Sequence, residues 1–376
     1  MLNEKMENYA AASIEDLKKL IRELAVIPSP SHFEDFRVEY LTKYLKGQGV
    51  QKVHTDDAKN VIWSFGDTGT NDLAVLMSHT DVVFPDTKPL PLVIKDDRYC
   101  CPGIIDDVAP LCVLLTSALY FYKNGLSPKT GLLIVANSCE EGLGNLKGSR
   151  SIVDTYGDRI KELITVESDR NRLTTRAVGS HRYEVTVRTE GGHSFGNFGN
   201  RNAIQYLAAM IGSLYEIKVP VKPDTKTTYN VGIISGGTSV NTIAQEAKML
   251  YEYRSDDYEC LDIMKNAFLG VINDYRAQNL DVEIKLIGER PCGNISKEAL
   301  RPLEEKIENC IKETVGGEID YHSSSTDANY PLSKGIPAIC MGSVEDHGAH
   351  TREEYLMLED LLPAMRLILD VLNTYF

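Results

Sequence analysis

Leu73-Ala-Val-Leu-Met-Ser-His-Thr-Asp-Val-Val83 is the stretch that decides the fold. Residues 73–77 form a short continuous apolar run, which is typical of a strand buried on both faces of a parallel sheet. The run leads to His79 and Asp81, which point to the same side if the chain stays extended, because the pleat has a period of two. Ligand crevices of open α/β sheets lie at the carboxyl ends of strands. The pair is therefore a candidate metal ligand with its supporting carboxylate, and a surface turn is the alternative.

Two further apolar runs, 131–137 and 163–166, also end in acidic residues, and an acid pair lies in the loop between the central run and the first of them. The acids concerned are Asp106, Asp107, Glu140, Glu141, Glu167 and Asp169. A single acid at a strand end is a common solubilising feature, but several together favour a divalent-metal site. Zinc is held by histidine nitrogen and carboxylate oxygen, and two zinc ions about 3.5–4 Å apart need a bridging carboxylate.

The composition indicates a soluble globular protein that acts on a small molecule. A length of 376 residues with 43% hydrophobic content suggests two domains. The net charge of −14, without any Lys/Arg cluster, argues against nucleic acid and anionic membranes as partners. A signal-peptide core and long apolar runs are lacking, so we expect a cytoplasmic protein. The eight scattered cysteines show no disulfide or C-x-x-C pattern and are expected to be buried or free thiols.

Helical periodicity predicts two amphipathic helices before the central strand. The first begins after Ser13 as N-cap and ends before Pro28. The second covers 34–45, and its expected inner face consists of Phe36, Tyr40, Leu41 and Tyr44. Further along the chain we expect strands at 61–65 and 336–341 and helices at 111–122 and 358–375.

The pattern changes at residue 179. Residues 181–188 alternate polar and apolar side chains, as expected of a half-exposed antiparallel strand. A glycine-rich loop, a helix and two more strands follow, at 191–199, 203–214, 229–234 and 247–254. After residue 291 the buried-strand pattern returns. The sequence therefore predicts one domain formed by 1–178 and 292–376, interrupted by an inserted α+β domain, 179–291.

Ten segments that cover most of the chain occur in a characteristic order. They are SHTDVV, GIIDD, EEGLGNLKG, VES, AVGSHRYEV, GGHSFGNFGNRNA, TYNVGIISGGTSVNTIA, YEYRSDD, STDANYPLSKGIPA and HGAHTREEYL. In this order they resemble the M20 family of zinc peptidases and amidohydrolases, in particular its tripeptide aminopeptidase (peptidase T) branch. The resemblance implies an α/β zinc-peptidase-like fold, with a mixed, mostly parallel sheet flanked by helices. An inserted α+β lid, which usually mediates dimerisation, interrupts it.

The resemblance also implies two zinc ions, with Co²⁺ or Mn²⁺ as alternatives, and makes Asp106 the carboxylate that bridges them. The other ligands would be His79 and Glu167 for one ion and Glu141 and His350 for the second. Val108 and Pro110 stand where the family often has lysine and glycine, so the surroundings of Asp106 depart from the family pattern.

Two of these ligands are choices between neighbours. Glu167 is preferred to Asp169, because it directly follows its strand where the family places an acidic ligand. His350 is preferred to His347, because the terminal histidine of the family precedes an acid by four residues, as His350 precedes Glu354.

By the same resemblance, Glu140 is the general base, which accepts a proton from the attacking water and delivers it to the leaving nitrogen. Asp81 would orient the imidazole of His79 without binding the metal itself. His193 would reach across a dimer and stabilise the oxyanion in the partner's active site, and packing within the lid is its alternative role.

Three residues of the inserted domain are candidates for substrate binding, and two of them match substrate-binding positions of the family. Asn241 and Arg254 would hold polar groups of the substrate, a task that suits the bidentate fork of arginine. A salt bridge from Arg254 to Asp256 or Asp257 is the alternative. The loop at Gly236 would let the backbone approach the substrate, unless its glycines serve the turn alone.

The sequence therefore predicts a dinuclear zinc exopeptidase of short peptides, with release of an N-terminal residue as the leading activity. N-deacylation of acyl-amino acids, or removal of a C-terminal residue, would use the same metals and Glu140 and is the alternative. A non-catalytic peptide-binding protein is the minor alternative, which Val108 and Pro110 suggest. The expected partners are a small peptide and a second copy of the chain through 179–291, with neither nucleic acid nor membrane.

Overall fold

The protein is described by a computed structural model that covers residues 2–376. These residues divide into two compact units. The first unit comprises Met1–Ala177 and Asn294–Phe376, and the second comprises Val178–Gly293, against 179–291 expected from the sequence. Each unit encloses its own hydrophobic core.

The bounds of the regular elements in the described residues are as follows. The α-helices are α1 (Glu4–Ala12), α2 (Ile14–Ala25), α3 (Asp35–Gly47), α4 (Ala109–Lys123), α5 (Lys147–Tyr156), α6 (Ala203–Tyr215), α7 (Tyr258–Arg276), α8 (Lys297–Thr314), α9 (Asn329–Ser333) and α10 (Leu361–Asn373). The strands are β1 (Val53–Thr55), β2 (Val61–Phe65), β3 (Leu73–His79), β4 (Val93–Ile94), β5 (Arg98–Cys100), β6 (Gly131–Asn137), β7 (Ile160–Ser168), β8 (Arg172–Ala177), β9 (Gly179–Arg188), β10 (Gly192–His193), β11 (Thr227–Gly236), β12 (Thr242–Ile243), β13 (Glu246–Ser255), β14 (Asp281–Arg290), β15 (Asp320–Ser324), β16 (Ala338–Val344) and β17 (Tyr355–Met357).

The main sheet of the first unit has eight strands in the order β1-β2-β6-β3-β7-β16-β8-β15. β3 pairs in parallel with β6 and β7, and β7 pairs in parallel with β16. Antiparallel pairs β1–β2 and β2–β6 complete one side. The predicted α/β fold with a mixed, mostly parallel sheet and a separate antiparallel sheet is thus confirmed. Since the central strands are parallel neighbours, the polar residues at their carboxyl ends meet at one edge.

The interior of the first unit consists of the central strands and the helices packed on them. Every residue of β3 and of β6 is buried, which explains their continuous apolar runs. Residues 104–123, which comprise the turn before α4 and α4 itself, are a segment long and apolar enough to cross a membrane, but 94% of its apolar window is buried inside the protein. This helix contacts both the sheet and α10, so it is apolar on all sides because it is a core helix.

The second unit is an antiparallel sheet in the order β11-β13-β9-β14, packed against α6 and α7. Residues of β13 alternate between buried and less buried positions along the strand, and Met249, Tyr251 and Tyr253 are buried in the core of this unit. Charged residues between them form cross-strand ion pairs, such as Arg182 with Glu252. The alternation predicted for this part of the chain therefore reflects a sheet with one covered face.

Two details of the N-terminal helices differ from the prediction. A helix, α1, already precedes Ser13, whose side chain makes no capping hydrogen bond to α2. The predicted inner face of α3 was wrong at Phe36, which is 66% exposed, and it omitted Arg37, which is fully buried. Burial of Arg37 is tolerated because Nε and Nη1 donate to the carbonyl oxygens of Ile27 and Thr80, at 2.9 and 2.8 Å. Of the other predicted inner residues of α3, Leu41 is buried, whereas Tyr40 and Tyr44 are only partly buried.

The cysteines form no disulfides among the described residues, as their scattered spacing predicted. All eight are free thiols, and all except the partly buried Cys100 are buried. Five of them, Cys101, Cys112, Cys292, Cys310 and Cys340, are small apolar side chains of the two cores.

Candidate metal centre

His79 is the last residue of β3 and is 2% exposed. Its Nδ1 lies 2.9 Å from the main-chain oxygen of Asp81 and 3.5 Å from the carboxylate of the same residue. These contacts orient the imidazole and direct Nε2 towards Asp106, whose Oδ1 is 2.9 Å away. His79 therefore presents one nitrogen to the acidic residues at the edge of the sheet.

Asp106 lies at the centre of the cluster, in the turn Ile104–Val108 that leads into α4. While Oδ1 contacts His79, Oδ2 lies 3.0 Å from Nε2 of His350, and the same nitrogen is 3.2 Å from Oε1 of Glu141. Ligand atoms of His79, Asp106 and Glu141 all lie within 4.8 Å of one another. Each oxygen of Asp106 thus faces a different histidine, as a carboxylate that bridges two cations does.

The structure places Glu167, rather than Asp169, beside this cluster. Burial, followed by the charge of Glu140, raises the pKa of Glu167 to about 8, and the charges of His79 and Asp106 also act on it. Asp169 forms an ion pair with Arg172. The geometry therefore supports Glu167 as the acid of the third strand.

Exchange of Glu167 for glutamine is expected to lower the zinc content of the protein, since an amide is a far weaker zinc ligand than a carboxylate. Asp169→Asn is the matched control, because asparagine tolerates the left-handed backbone of residue 169, which has φ 67°. Elemental analysis after dialysis measures both variants. Zinc loss in Asp169→Asn but not in Glu167→Gln would reverse the choice of ligand.

His347 lies outside the cluster, as the sequence predicted when it favoured His350. Its ring stacks on Tyr355 with centroids 4.7 Å apart, and Nε2 is 3.6 Å from the carboxylate of Asp360. These contacts give His347 a role in holding the loop that carries His350.

Asp81 has a second role that spacing alone did not reveal. Its carboxylate accepts hydrogen bonds from the main-chain N–H groups of Glu140 and Glu141, both at 2.9 Å, and from the hydroxyl of Ser31 at 2.7 Å. Asp81 is completely buried. It therefore fixes the segment after β6 as well as His79.

Glu354 served only as a sequence landmark, yet it positions Asp106. Its buried carboxylate accepts N–H groups from Gly103, Ile105 and Asp106, at 2.8, 2.7 and 3.2 Å. The partners are about 250 positions away in the chain, and no local pattern predicts such a contact.

The sequence analysis assigned no individual role to two other buried acids. Asp107 accepts the hydroxyl of Ser78 and, at 3.0 Å, the N–H of His79. Asp327, in the STDANY segment, accepts the side-chain amide of Asn137. Burial raises the pKa of both carboxyls well above the usual range, and after burial the charge of Glu140 has the largest effect on Asp327. They form a second layer of acids behind the metal-binding side chains.

The charges of the cluster fit divalent cations. Burial raises the pKa of Glu141 to about 7, and hydrogen bonds to Asp106 and Glu141 raise the pKa of His350 to about 11. Among the described residues, no lysine or arginine pairs with Asp106, Glu141 or Glu167. Largely buried carboxylates that face two imidazoles, without a lysine or arginine partner, are a donor set suited to zinc. The residues present therefore fit the metal that the sequence predicts.

The departures from the family pattern near Asp106 leave this donor set intact. Val108 is buried in the core of the first unit. Pro110 occupies the first turn of α4, where the missing N–H of proline costs no helical hydrogen bond.

His193 and Asn241 lie together in the second unit. Nδ1 of His193 accepts the N–H groups of Phe195 and Gly196, at 3.3 and 3.2 Å, so the neutral ring carries its proton on Nε2. The side chain is exposed. The main-chain oxygen of Asn241 accepts the N–H of Ser194 at 3.0 Å, which joins the two loops. The side chains of His193 and Asn241 are therefore close enough to donate hydrogen bonds to the same ligand.

Arg254 pairs with neither of the two predicted aspartates. Its Nε and Nη2 donate to the two carboxylate oxygens of Glu252, at 3.0 and 3.1 Å. The predicted alternative was thus wrong, because Asp257 pairs with Lys222 instead. The fork of Arg254 is engaged by Glu252, and a substrate carboxylate would have to compete with it.

Gly236 supports strand pairing. A Cβ atom at this position would lie 2.7 Å from Cβ of Ala247 on β13. The glycine is therefore required by the neighbouring strand, which favours the conformational explanation over an approach of the backbone to a ligand.

Known proteins are similar to this chain in sequence and in fold. The acetylornithine deacetylase of Myxococcus xanthus is 26% identical over 336 residues, which cover 85% of this chain and 83% of that protein. The aminopeptidase PepT of Bacillus cereus matches with a TM-score of 0.72 and 22% identity, over 95% of this chain and 97% of that chain. A tripeptidase of Staphylococcus aureus matches with a TM-score of 0.74 and 20% identity, over 96% and 98%.

The structural likenesses, at these identities, concern the fold alone. The sequence model of one family, peptidase family M20/M25/M40, matches residues 75–374, which include the five predicted metal-ligand positions. The chain therefore belongs to the M20/M25/M40 peptidase family and is a metal-dependent hydrolase of that family.

Proposed function

We propose that the protein is a dinuclear zinc exopeptidase that releases the N-terminal residue of short peptides. The observation that carries the proposal is the bridging position of Asp106 between His79 and His350, with Glu140 next to the ligand Glu141. Two metal-binding positions and a separate buried carboxylate together make up the parts that amide hydrolysis needs.

The reaction follows from the roles of these side chains. Bound zinc supplies Lewis acidity, which lowers the pKa of water and polarises a carbonyl group. Glu140, 7% exposed and held through its N–H by Asp81, accepts the proton of the attacking water. The same carboxylate then delivers that proton to the nitrogen of the broken amide bond. Glu354 holds the backbone of Asp106 throughout.

An aminopeptidase is favoured because of the charge around the ligands. The acids Glu140, Glu167 and Asp327 act on one another electrostatically at the sheet edge, and such a surface attracts a free α-amine. The fold matches, to an aminopeptidase and a tripeptidase, agree with this choice.

Hydrolysis of an acyl-amino acid on the same site is the second candidate. The deacetylase relative, which covers 85% of this chain, is the observation in its favour. Removal of a C-terminal residue would also use Glu140 and the same metals.

A panel of small substrates separates these activities. It contains Ala-Ala-Ala, its N-acetyl and C-amide forms, and N-acetyl amino acids, assayed with zinc-reconstituted protein of measured metal content. We expect cleavage of the free-amine and C-amide peptides only. Cleavage of N-blocked substrates would assign the deacylase or carboxypeptidase activity instead, and zinc-loaded protein without any turnover would contradict all three.

A homodimer formed through the second unit is part of the proposal, and so is a cytoplasmic location. β11 is an edge strand on which Ile233 and Ile234 are 57% and 55% exposed. An exposed apolar edge strand of this kind is a ready site for pairing with a second copy. A monomeric mass at micromolar concentration would contradict the dimer.

Within such a dimer, His193 acts as the oxyanion donor of the partner's site, because Nε2 carries its proton. His193→Ala is expected to lower kcat by about 10²–10³, the usual cost of losing such a donor. Mixing this variant with inactive Glu140→Gln protein tests the action in trans. Exchange of subunits should restore about a quarter of the wild-type activity, since half of the dimers then carry one intact site. Without recovery after exchange, His193 does not act across the dimer.

A further inference from the structure

Three segments, 29–34, 80–83 and 139–144, are joined beside the metal-binding residues. The hydroxyl of Ser31 donates to Oδ2 of Asp81 at 2.7 Å and lies 3.1 Å from the main-chain oxygen of Glu141. The N–H of Val82 donates to the main-chain oxygen of Ser29 at 2.9 Å. These bonds tie the three segments to the carboxylate that also holds Glu140 and Glu141, so they border the cluster.

Each of these segments exposes one large apolar side chain. Phe33 is 66% exposed, Leu143 is 55% exposed and Val83 is 42% exposed. Each follows by two positions a residue of the hydrogen-bonded junction, namely Ser31, Glu141 or Asp81. We call Phe33, Val83 and Leu143 the apolar rim. Exposed apolar side chains on several segments next to a site are typical of surfaces that receive a ligand.

Near Phe33, one positive charge of the described residues is already engaged by other groups. Lys59 lies close to the first segment, but its ammonium is engaged by the main-chain oxygen of His32 at 2.7 Å and by Asp35 at 2.8 Å. A carboxylate side chain of a substrate would lose part of its hydration against the apolar side chains of the rim, whereas an apolar side chain would gain from the contact.

We infer that the apolar rim selects substrates with an apolar side chain next to the broken amide bond. The inference rests on the proposed function and specifies its substrates as short peptides that carry a leucine-like or phenylalanine-like residue there. Burial of such a side chain is expected to raise kcat/KM by about tenfold or more over glycine at the same position. An acidic residue should be cleaved more slowly than glycine.

The test compares Leu-Ala-Ala, Gly-Ala-Ala and Glu-Ala-Ala as substrates of zinc-loaded protein. N-acetyl-leucine, N-acetylglycine and N-acetylglutamate are run in parallel, so that the preference is measured on whichever class the protein hydrolyses. Phe33→Ser removes the largest side chain of the rim. Phe36→Ser is the matched control, because Phe36 is also 66% exposed but lies on α3 outside the three segments.

We expect the ratio of kcat/KM for the leucine and glycine substrates to fall about tenfold in Phe33→Ser and to stay unchanged in Phe36→Ser. Unchanged zinc content in both variants excludes an indirect effect through the metals. Equal rates for leucine, glycine and glutamate substrates in wild-type protein would contradict selection by the apolar rim. The proposed function would not be affected by that result. An equal fall of the ratio in both variants would also contradict selection by the rim. Hydrolysis of the acetyl substrates alone would overturn the exopeptidase, while the ratio still decides on the rim.

Discussion

Glu140→Gln is expected to abolish turnover while the protein keeps its metal. Glutamine preserves the size and the main-chain N–H that Asp81 holds, but its amide cannot accept a proton. Because general-base catalysis typically contributes a factor of about 10²–10⁴, kcat should fall by at least that factor. Steady-state kinetics on the tripeptide, together with elemental analysis of the same sample, measure both quantities.

The neighbouring acid provides the control for this variant. Glu141→Gln makes the same chemical change one position later, at the residue that lies 3.2 Å from His350. It is expected to lower metal content as well as activity. If Glu140→Gln lost zinc and Glu141→Gln retained it, the roles of base and ligand would have to be exchanged.

Glu354→Ala is expected to destabilise the protein and to release metal, although Glu354 is not a proposed ligand. The change leaves three N–H groups of the Gly103–Asp106 turn without their acceptor in a buried position. At about 1–3 kcal/mol for each unsatisfied buried group, the free energy of unfolding should fall by about 3 kcal/mol or more. Denaturant unfolding of the metal-free protein measures this loss separately from metal binding.

Its matched control is the preceding residue. Glu353 carries the same side chain but is exposed, so Glu353→Ala should change stability by less than about 0.5 kcal/mol and leave metal content unaltered. Weaker metal binding in Glu354→Ala should accompany the loss of stability, because Asp106 is the residue that the turn presents. Normal stability and full zinc content in Glu354→Ala would show that the backbone of Asp106 is held by other contacts.

The central strands and the residues at their ends could be predicted because both signals are local. A strand buried on both faces must be apolar throughout, and a polar residue at its end is visible in the sequence, as at His79 and Glu167. Parallel pairing of β6, β3 and β7 then brings those ends together. The candidate ligands could therefore be proposed from short stretches, and the family resemblance decided between neighbouring candidates.

The supporting contacts could not be predicted, because they join residues that are distant in the chain. Ser31 and Asp81 are 50 positions apart, and Asn137 and Asp327 are 190 positions apart. The inner face of α3 was misjudged for the same reason. Whether Arg37 can be buried depends on the carbonyl of Thr80, 43 positions away, and not on the periodicity of the helix.

The two hydrogen bonds from Glu140 and Glu141 to a single carboxylate have an evolutionary consequence. Both N–H groups are 2.9 Å from oxygens of Asp81, so a shift of this one side chain displaces the proposed proton acceptor Glu140 and the candidate ligand Glu141 together. The positions of Glu140 and Glu141 therefore cannot change independently during evolution. New specificities in descendants of this chain should therefore arise by substitution at the apolar rim or in the second unit, where single changes leave the chemistry of bond breaking untouched.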